Sequence, residues 1–334
     1  MGHLEWTEAN DEREWDVFVV QNGGSVFHQW SWRKVLEGDG GRPLYLACRN
    51  AKGRMLAACP FFYHEGRHLS YLESLPETIT GGLVISRELT DTSQVITSLR
   101  KSVDFSPFNP VVEMRIKAHQ QHIIETMLAL GYHYALTHEH YILDLDMKKP
   151  DDVWNSGFKK HDRQAVKYYE QRTAFRLARS EHDLLALEKP DWSLYHGRIF
   201  HADFISRMLA TLGDQIQVAV AVESGMPIAG FLMLFDHPKV QNRTVYLLGV
   251  RHSVTRNIHS PVTFINWKAI NWAHENGFRY VNFGTYGLGQ SFDVSDIFYK
   301  LKERFEITLE PSYEFILPTS GVAYSIAKSI SRVI

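Results

Sequence analysis

The feature that most constrains this chain is a hairpin pattern that occurs once in each half of its 334 residues. The segments YLACRNAKGRMLAACPFFYH at 45–64 and VAVAVESGMPIAGFLMLFDH at 218–237 each read as an apolar strand, a glycine-containing turn and a second apolar strand. A tyrosine–leucine pair follows each segment, at Tyr71 and Tyr246, and then come a loop, a long helix closed by glycine and a short strand. Because the order of elements recurs, the sequence predicts duplication of one α/β unit.

The chain is long enough for two domains, since about 150 residues per domain is usual and 44% of its residues are hydrophobic. The acidic, proline-containing stretch at 146–152 separates the two copies, and Asp151 or Asp152 can cap the helix that follows. We therefore place an N-terminal domain at 1–148 and a C-terminal domain at 149–334.

Charge and targeting signals narrow the functional classes. The net charge of -2 argues against a generic polyanion binder, so we expect no DNA partner. The first residues lack the pattern of a secretory signal, and no apolar run approaches the roughly 18 residues that a membrane-spanning helix needs. The two cysteines, Cys48 and Cys59, are expected to be free, buried thiols. These features predict a cytoplasmic protein without a transmembrane segment.

Three motifs indicate a family. They are FYKLKERF at 298–305, RQAVK at 163–167 and FHQWSWRKV at 27–35. These motifs resemble the signature, the basic helix and the N-terminal motif of the Fem family of peptidoglycan-bridge enzymes, and the order of elements in the second half resembles the acetyltransferase (GNAT) fold. The resemblance covers nearly the whole chain. It implies an α/β fold of two tandem GNAT-like units and an acyl- or aminoacyltransferase activity.

Two residues of the first motif are predicted to be catalytic. Acyl transfer builds negative charge on a carbonyl oxygen, and a positioned cation such as Lys302 stabilises it. Tyr299 can donate a proton to the leaving oxygen or thiolate. The alternatives are a surface lysine that pairs with Glu303 or Glu306 and a tyrosine that belongs to the core.

The basic helix is predicted to bind a phosphate-bearing group. Arg163 and Lys167 are four residues apart and share one helix face, close to Lys160. The segment 159–179 carries seven basic and two acidic residues. The alternative is an ordinary solvated helix face.

A second predicted anion site precedes the helix that begins at Pro261. Arg251 and Arg256 lie in the loop before it, and a helix N-terminus favours anions. This loop lacks the glycines that acetyltransferases usually place around the pyrophosphate of coenzyme A. Acetyl-coenzyme A and an aminoacyl-tRNA therefore both remain candidate donor substrates, and no resident cofactor is predicted. The chain contains no CxxC or HExxH spacing, so no metal site is predicted either.

The leading functional hypothesis is transfer of an acyl or aminoacyl group from an activated ester or thioester to an amine on a small molecule, peptide or glycan of the cell envelope. One alternative is coenzyme A-dependent N-acetylation of a polysaccharide precursor. Another is a catalytically silent duplicate that binds a nucleotide-linked glycan or a partner protein. The amphipathic stretch 319–334 is expected to dock on its own domain or to contact a membrane surface peripherally.

Overall fold

The computed structural model gives a mixed α/β protein with two compact units. It describes residues 3–37, 41–64, 71–75, 82–104, 111–117, 121–179, 182, 202–252, 260–287 and 307–317. Unit 1 comprises residues up to 139 and those from 311 onward, and unit 2 comprises residues 140–310.

Unit 1 is built on a sheet that begins with an antiparallel meander. Strands β1, β2, β3 and β4 pair in order and antiparallel, with β5 on the side of β3, and β4 then pairs in parallel with β6. The elements are β1 Leu4–Glu8, α1 Glu12–Gln21, α2 Trp30–Leu36, β2 Arg42–Asn50, β3 Met55–His64, β4 Tyr71–Ser74, β5 Val84–Ile85, α3 Ser93–Asp104, β6 Val111–Lys117 and α4 Gln121–Ala129. Strand β7, His133–Asp144, extends from unit 1 into the residues of unit 2.

Unit 2 repeats this plan. Strands β8, β9, β10 and β11 pair in order and antiparallel, and β11 then pairs in parallel with β12. The elements are α5 Pro150–Asp152, a π-helical turn Val153–Gly157, α6 Lys160–Glu170, β8 Thr173–Ala178, α7 Ala202–Thr211, β9 Ile216–Glu223, β10 Met226–Phe235, β11 Thr244–His252, α8 Pro261–Glu275 and β12 Tyr280–Gly287. The last strand, β13, is Thr308–Leu317.

The predicted duplication is confirmed by these pairings. The hairpin of 45–64 forms β2 and β3, and the hairpin of 218–237 forms β9 and β10, at the same place in the strand order of each unit. In both units the next strand pairs in parallel with its successor after a helical crossover, α3 in unit 1 and α8 in unit 2. The two apolar hairpins of the sequence therefore occupy equivalent positions.

The C-terminal strand belongs to the first unit. Ser312–Leu317 of β13 pair antiparallel with Val112–Lys117 of β6, and Phe315 lies in the core of unit 1 with 1% of its surface exposed. The sequence-based boundary at residue 148 assigns this strand to the C-terminal domain, whereas the compact units divide after residue 139 and again after residue 310. Strands β6 and β13 are more than a hundred residues apart, so their pairing leaves no local pattern in the sequence.

Each unit has its own apolar core. In unit 1 the ring of Trp15 packs 4.8 Å from that of Tyr45, and both side chains are fully buried. In unit 2 the buried face of α8 covers the sheet, and Trp267 lies 5.1 Å from Trp154 and 5.3 Å from Phe158. Helix α8 begins with Pro261 and ends before Gly277, whose φ of +69° suits glycine.

We predict that Phe315→Ala destabilises unit 1, although the residue lies near the end of the chain. Truncation of a buried phenylalanine costs about 3–5 kcal/mol, and the loosened β13 exposes the amides of β6. The same truncation at Met226, which is 67% exposed, should change stability by less than about 0.5 kcal/mol. Hydrogen exchange at 112–116 checks this; unchanged protection of β6 in the Phe315 variant would contradict the pairing.

Candidate active site

The main feature of unit 2 is a wedge between two parallel strands. Strands β11 and β12 are in register at only three described pairs, Thr244 with Tyr280, Val245 with Val281 and Tyr246 with Asn282. Both strands continue for at least five residues beyond this point without further pairing to each other. The strands therefore separate, and the edge of β11 that faces the gap can bind an extended ligand through its backbone N–H and C=O groups.

The opposite edge of β11 is irregular at the same level. Gly230 of β10 is opposite Arg251, whereas Leu232 is opposite Leu248, so β11 has one extra residue in this interval. Such a bulge bends the strand and turns its backbone groups, and bulges are frequent beside active sites. The bend accompanies the separation of β11 from β12.

The N-terminus of α8 lies at the open end of the wedge. Helix α8 connects two parallel strands and so runs antiparallel to both, which puts its first turn, after Ser260, near the ends of β11 and β12. The amide groups of a first helical turn attract anions. A strand edge and a helix N-terminus together suit a donor with an amide-containing arm and a phosphate group.

Buried polar groups hold the closed end of the wedge. Asp236 accepts hydrogen bonds from the N–H of Thr244, at 3.0 Å, and from the hydroxyl of Tyr246, at 3.4 Å. The Oδ1 atom of Asn282 accepts a hydrogen bond from the N–H of Gly284 at 2.8 Å, where φ is +107°. Asp236 and Asn282 are not among the residues predicted from the sequence; the available signal is a polar residue within or directly after an apolar strand.

The predicted site residues are distributed unevenly in the structure. Lys302, Tyr299 and Arg256 lie outside the described residues, as does the stretch 319–334. Arg251 is in β11, opposite Gly230 and therefore at the bulge. Arg251 therefore lies in the part of β11 beside the wedge.

The basic helix α6 packs on α8, and its three predicted residues differ in environment. Lys160 and Lys167 are exposed, whereas Arg163 is partly buried. The Nη1 atom of Arg163 donates to the carbonyl of Trp154 at 3.2 Å and to that of Phe158. The guanidinium group thus binds the end of the π-helical turn.

Two side-chain contacts hold α6 against α8. The ring of Tyr169 lies 5.9 Å from that of Phe264, and Lys268 forms an ion pair with Glu170 at 2.9 Å. These contacts join the last turn of α6, which carries Lys167, to the N-terminal half of α8.

Helix α6 lines neither of two clefts formed by described residues. One, of about 600 Å³, lies in unit 1 between α1 and the residues that follow β5. Its charged side chains include Glu14, paired with Arg49, and Glu88, paired with Arg54. The other, of about 420 Å³, lies in unit 2 at the C-terminal end of α8.

Neither cysteine is suited to be a nucleophile. Both are free and buried, as predicted. Burial raises the pKa of the Cys48 thiol to about 11 and raises the pKa of Cys59 further. Since the thiolate is the reactive form, direct attack by an acceptor amine is chemically simpler than a thioester intermediate on either residue.

Over the described part of the chain, no three His, Cys, Asp or Glu side chains are grouped so that they could hold a metal ion. Within the same residues, no helix is both long enough and apolar enough to cross a membrane.

Comparison with known proteins identifies the fold. Residues 156–300 match the sequence profile described as acetyltransferase (GNAT) domain. The structure of FemX is similar at a TM-score of 0.73 and 12% identity, covering 97% of this chain and 100% of FemX. L-PGS from Bacillus licheniformis is similar at a TM-score of 0.61 and 14% identity, covering 98% and 97% of the two chains.

A tandem GNAT protein from the clavulanic acid biosynthesis pathway is similar at a TM-score of 0.56 and 11% identity, covering 95% of this chain and 99% of that one. No curated protein sequence matches the chain. The predicted fold of two tandem GNAT-like units, like that of Fem proteins, is confirmed. The GNAT profile supports the predicted acyltransferase class.

We predict that substitutions at Arg163 and Lys167 have different effects, the first on stability and the second on donor binding. Arg163→Gln removes the donor to two carbonyl groups and should cost about 1–3 kcal/mol of unfolding free energy. Lys167→Gln changes an exposed side chain and should lower the unfolding free energy by less than about 0.5 kcal/mol. The same substitution should weaken the binding of a phosphate-bearing donor. Chemical denaturation and donor binding, measured on both variants, check this; unaltered binding in the Lys167 variant would contradict a phosphate role.

We predict that both thiols are unreactive in the folded protein near neutral pH. Their raised pKa values favour the protonated form, so labelling should become faster only as the pH rises toward 11 or when the protein unfolds. Maleimide labelling followed by mass spectrometry, with denatured protein as the control, measures this. Rapid labelling of native Cys48 at pH 7 would contradict the burial.

Proposed function

We propose that the chain transfers an acyl or aminoacyl group from an activated ester or thioester to an amine, and that the wedge of unit 2 binds the donor. The observation that carries this proposal is the separation of β11 from β12 after three pairs, beside the N-terminus of α8. The GNAT profile spans this region.

In this proposal the acceptor amine attacks the donor carbonyl carbon, and the bond to the leaving oxygen or sulfur breaks. Lys302 stabilises the negative charge that develops on the carbonyl oxygen. Tyr299 donates a proton to the leaving atom, while the amine loses its own proton to a base. The reaction needs no covalent enzyme intermediate.

The phosphate-binding roles are part of the same proposal. Lys167 and Lys160 are exposed on α6, and Arg251 lies in the bulged part of β11. Arg256 precedes α8 in the sequence. Arg163 would contribute chiefly by holding the start of α6, since its Nη1 atom binds backbone carbonyls.

The donor is an aminoacyl-tRNA or acetyl-coenzyme A, and the acceptor is an amine on a peptide, a glycan or another small precursor of the cell envelope. Similarity to FemX and to L-PGS over nearly the whole chain supports the first donor. The GNAT profile and the tandem GNAT neighbour support coenzyme A-dependent N-acetylation as the second candidate function. We also propose that the protein is located in the cytoplasm, where both donors are made.

Calorimetric titration with acetyl-coenzyme A, compared with protection of charged tRNA from hydrolysis, distinguishes the donors. Binding of one and not the other selects the function. If neither binds and no acyl donor is turned over, the alternative of a silent binding protein is favoured over transfer.

We predict that Lys302→Met slows transfer by about 100-fold or more and leaves folding nearly intact, because a preorganised cation acts mainly on the transition state. Lys52→Met, in the exposed β2–β3 turn, is the matched control and should keep the full rate. Single-turnover rates and thermal midpoints are measured together. A normal rate with a stability loss of at most about 1 kcal/mol would identify Lys302 as a surface lysine in an ion pair.

A further inference from the structure

The cleft at the C-terminal end of α8 has a chemistry that the acyl-transfer site does not explain. Its lining includes the cationic side chains Lys149, Arg243 and Arg279, together with His274, Asn242 and Asp146. Helix α8 has 15 residues, so this cleft is roughly 20 Å from the N-terminal end of the helix at the wedge. The two places are therefore separate.

Arg243 is the central cation of this cleft. Its guanidinium lies over the ring of Phe278, 3.9 Å from the centroid, and its Nη1 atom donates to the carbonyl of Asn276 at 3.3 Å. The buried Nε atom has no hydrogen-bond acceptor among the described residues, and Arg243 forms no ion pair with them. Burial lowers the pKa of Arg243, although nearby Asp236 acts in the opposite direction. Because no carboxylate among the described residues pairs with Arg243, its positive charge remains available to an anionic ligand in the cleft.

Arg279 lines the cleft, but carboxylate partners balance its positive charge. Its Nη2 atom is 3.1 Å from a carboxylate oxygen of Asp144, its Nε atom is 3.3 Å from one of Asp146, and its guanidinium lies over the ring of Tyr280. Its Nη1 atom also donates to the side-chain oxygen of Asn242 at 3.1 Å. Because two carboxylates balance Arg279, the positive charge for a ligand comes from Arg243 and from exposed Lys149.

We propose that this cleft binds a small sugar phosphate, with the phosphate held by Arg243 and Lys149 and the hydroxyl groups near Asp146 and Asn242. The cleft volume of about 420 Å³ lies within the usual range for small-molecule sites. The guanidinium groups of Arg243 and Arg279 cover ring faces of Phe278 and Tyr280. Of these two rings only Phe278 lines the cleft. Since one face of that ring is covered and the polar side chains of Asp146 and Asn242 line the same cleft, the site suits a sugar phosphate better than a base stacked on an aromatic ring.

A simpler reason for cations at this place is the C-terminus of α8, whose carbonyl groups favour positive charge. The bond from Arg243 to the carbonyl of Asn276 fits that reason. That reason does not account for Lys149, which is exposed and lines the same cleft. Binding at this cleft is independent of the proposed acyl transfer, so either can fail alone.

Thermal midpoints of the whole chain, measured with ribose 5-phosphate, ribose and inorganic phosphate, test the proposal. Ribose 5-phosphate should raise the midpoint in a saturable way, because a ligand that binds only the folded state stabilises it. Ribose should have no effect at the same concentration. Arg243→Gln and Lys149→Gln should each weaken binding by about tenfold or more.

Lys268→Gln is the matched control, since Lys268 pairs with Glu170 in the same unit and does not line the cleft. General stabilisation by phosphate salts affects all variants equally, so an equal shift in every variant would overturn the proposal. Lys149 is exposed, which keeps the test decisive if the Arg243 variant folds poorly. Equal affinity for inorganic phosphate, or tighter binding of an oligouridylate, would overturn the assignment to a sugar phosphate.

Discussion

The short parallel pairing of β11 with β12 is the constraint on which unit 2 depends. Three pairs hold the strands together at one end, and the buried side chains of Asp236 and Asn282 accept backbone hydrogen bonds that stabilise that end. Beyond them a bulge in β11 and the positive φ of Gly284 accompany divergent paths. A sheet with unbroken parallel pairing here would have no free strand edge, so the opening for a donor exists because backbone hydrogen bonding stops.

Helix α8 connects this opening to the rest of the unit. Its buried face supplies Phe264, Ile265, Ala269 and Ile270 to the core, and α6 packs against it through Tyr169 and Glu170. One end of the helix faces the wedge, where a first turn favours anions, and the other carries Arg243 on a terminal carbonyl. A single rigid helix thus places two electrostatically different regions at opposite ends of the unit.

Much of the fold could be predicted because its signals are local. The repeated hairpins, the proline that opens α8 and the glycine that follows it are read directly from neighbouring residues. The candidate site was less accessible. Arg163 and Lys167 both lie in α6, but spacing does not reveal that Arg163 binds two carbonyl groups of the preceding turn. Asp236 and Asn282 are likewise ordinary polar residues until the strands around them are assembled.

The sequence by itself determined the duplicated α/β unit, the buried, free state of both cysteines and the tandem GNAT-like fold, because apolar periodicity, turn residues and family motifs are encoded along the chain. Only the tertiary structure decided that β13 pairs with β6 of unit 1, that β11 and β12 separate after three pairs and that Arg243 lies with Lys149 in one cleft. The physical reason is the same in each case: pairing between distant strands and charge brought together by packing depend on contacts between residues that are remote in sequence, and no local preference specifies them.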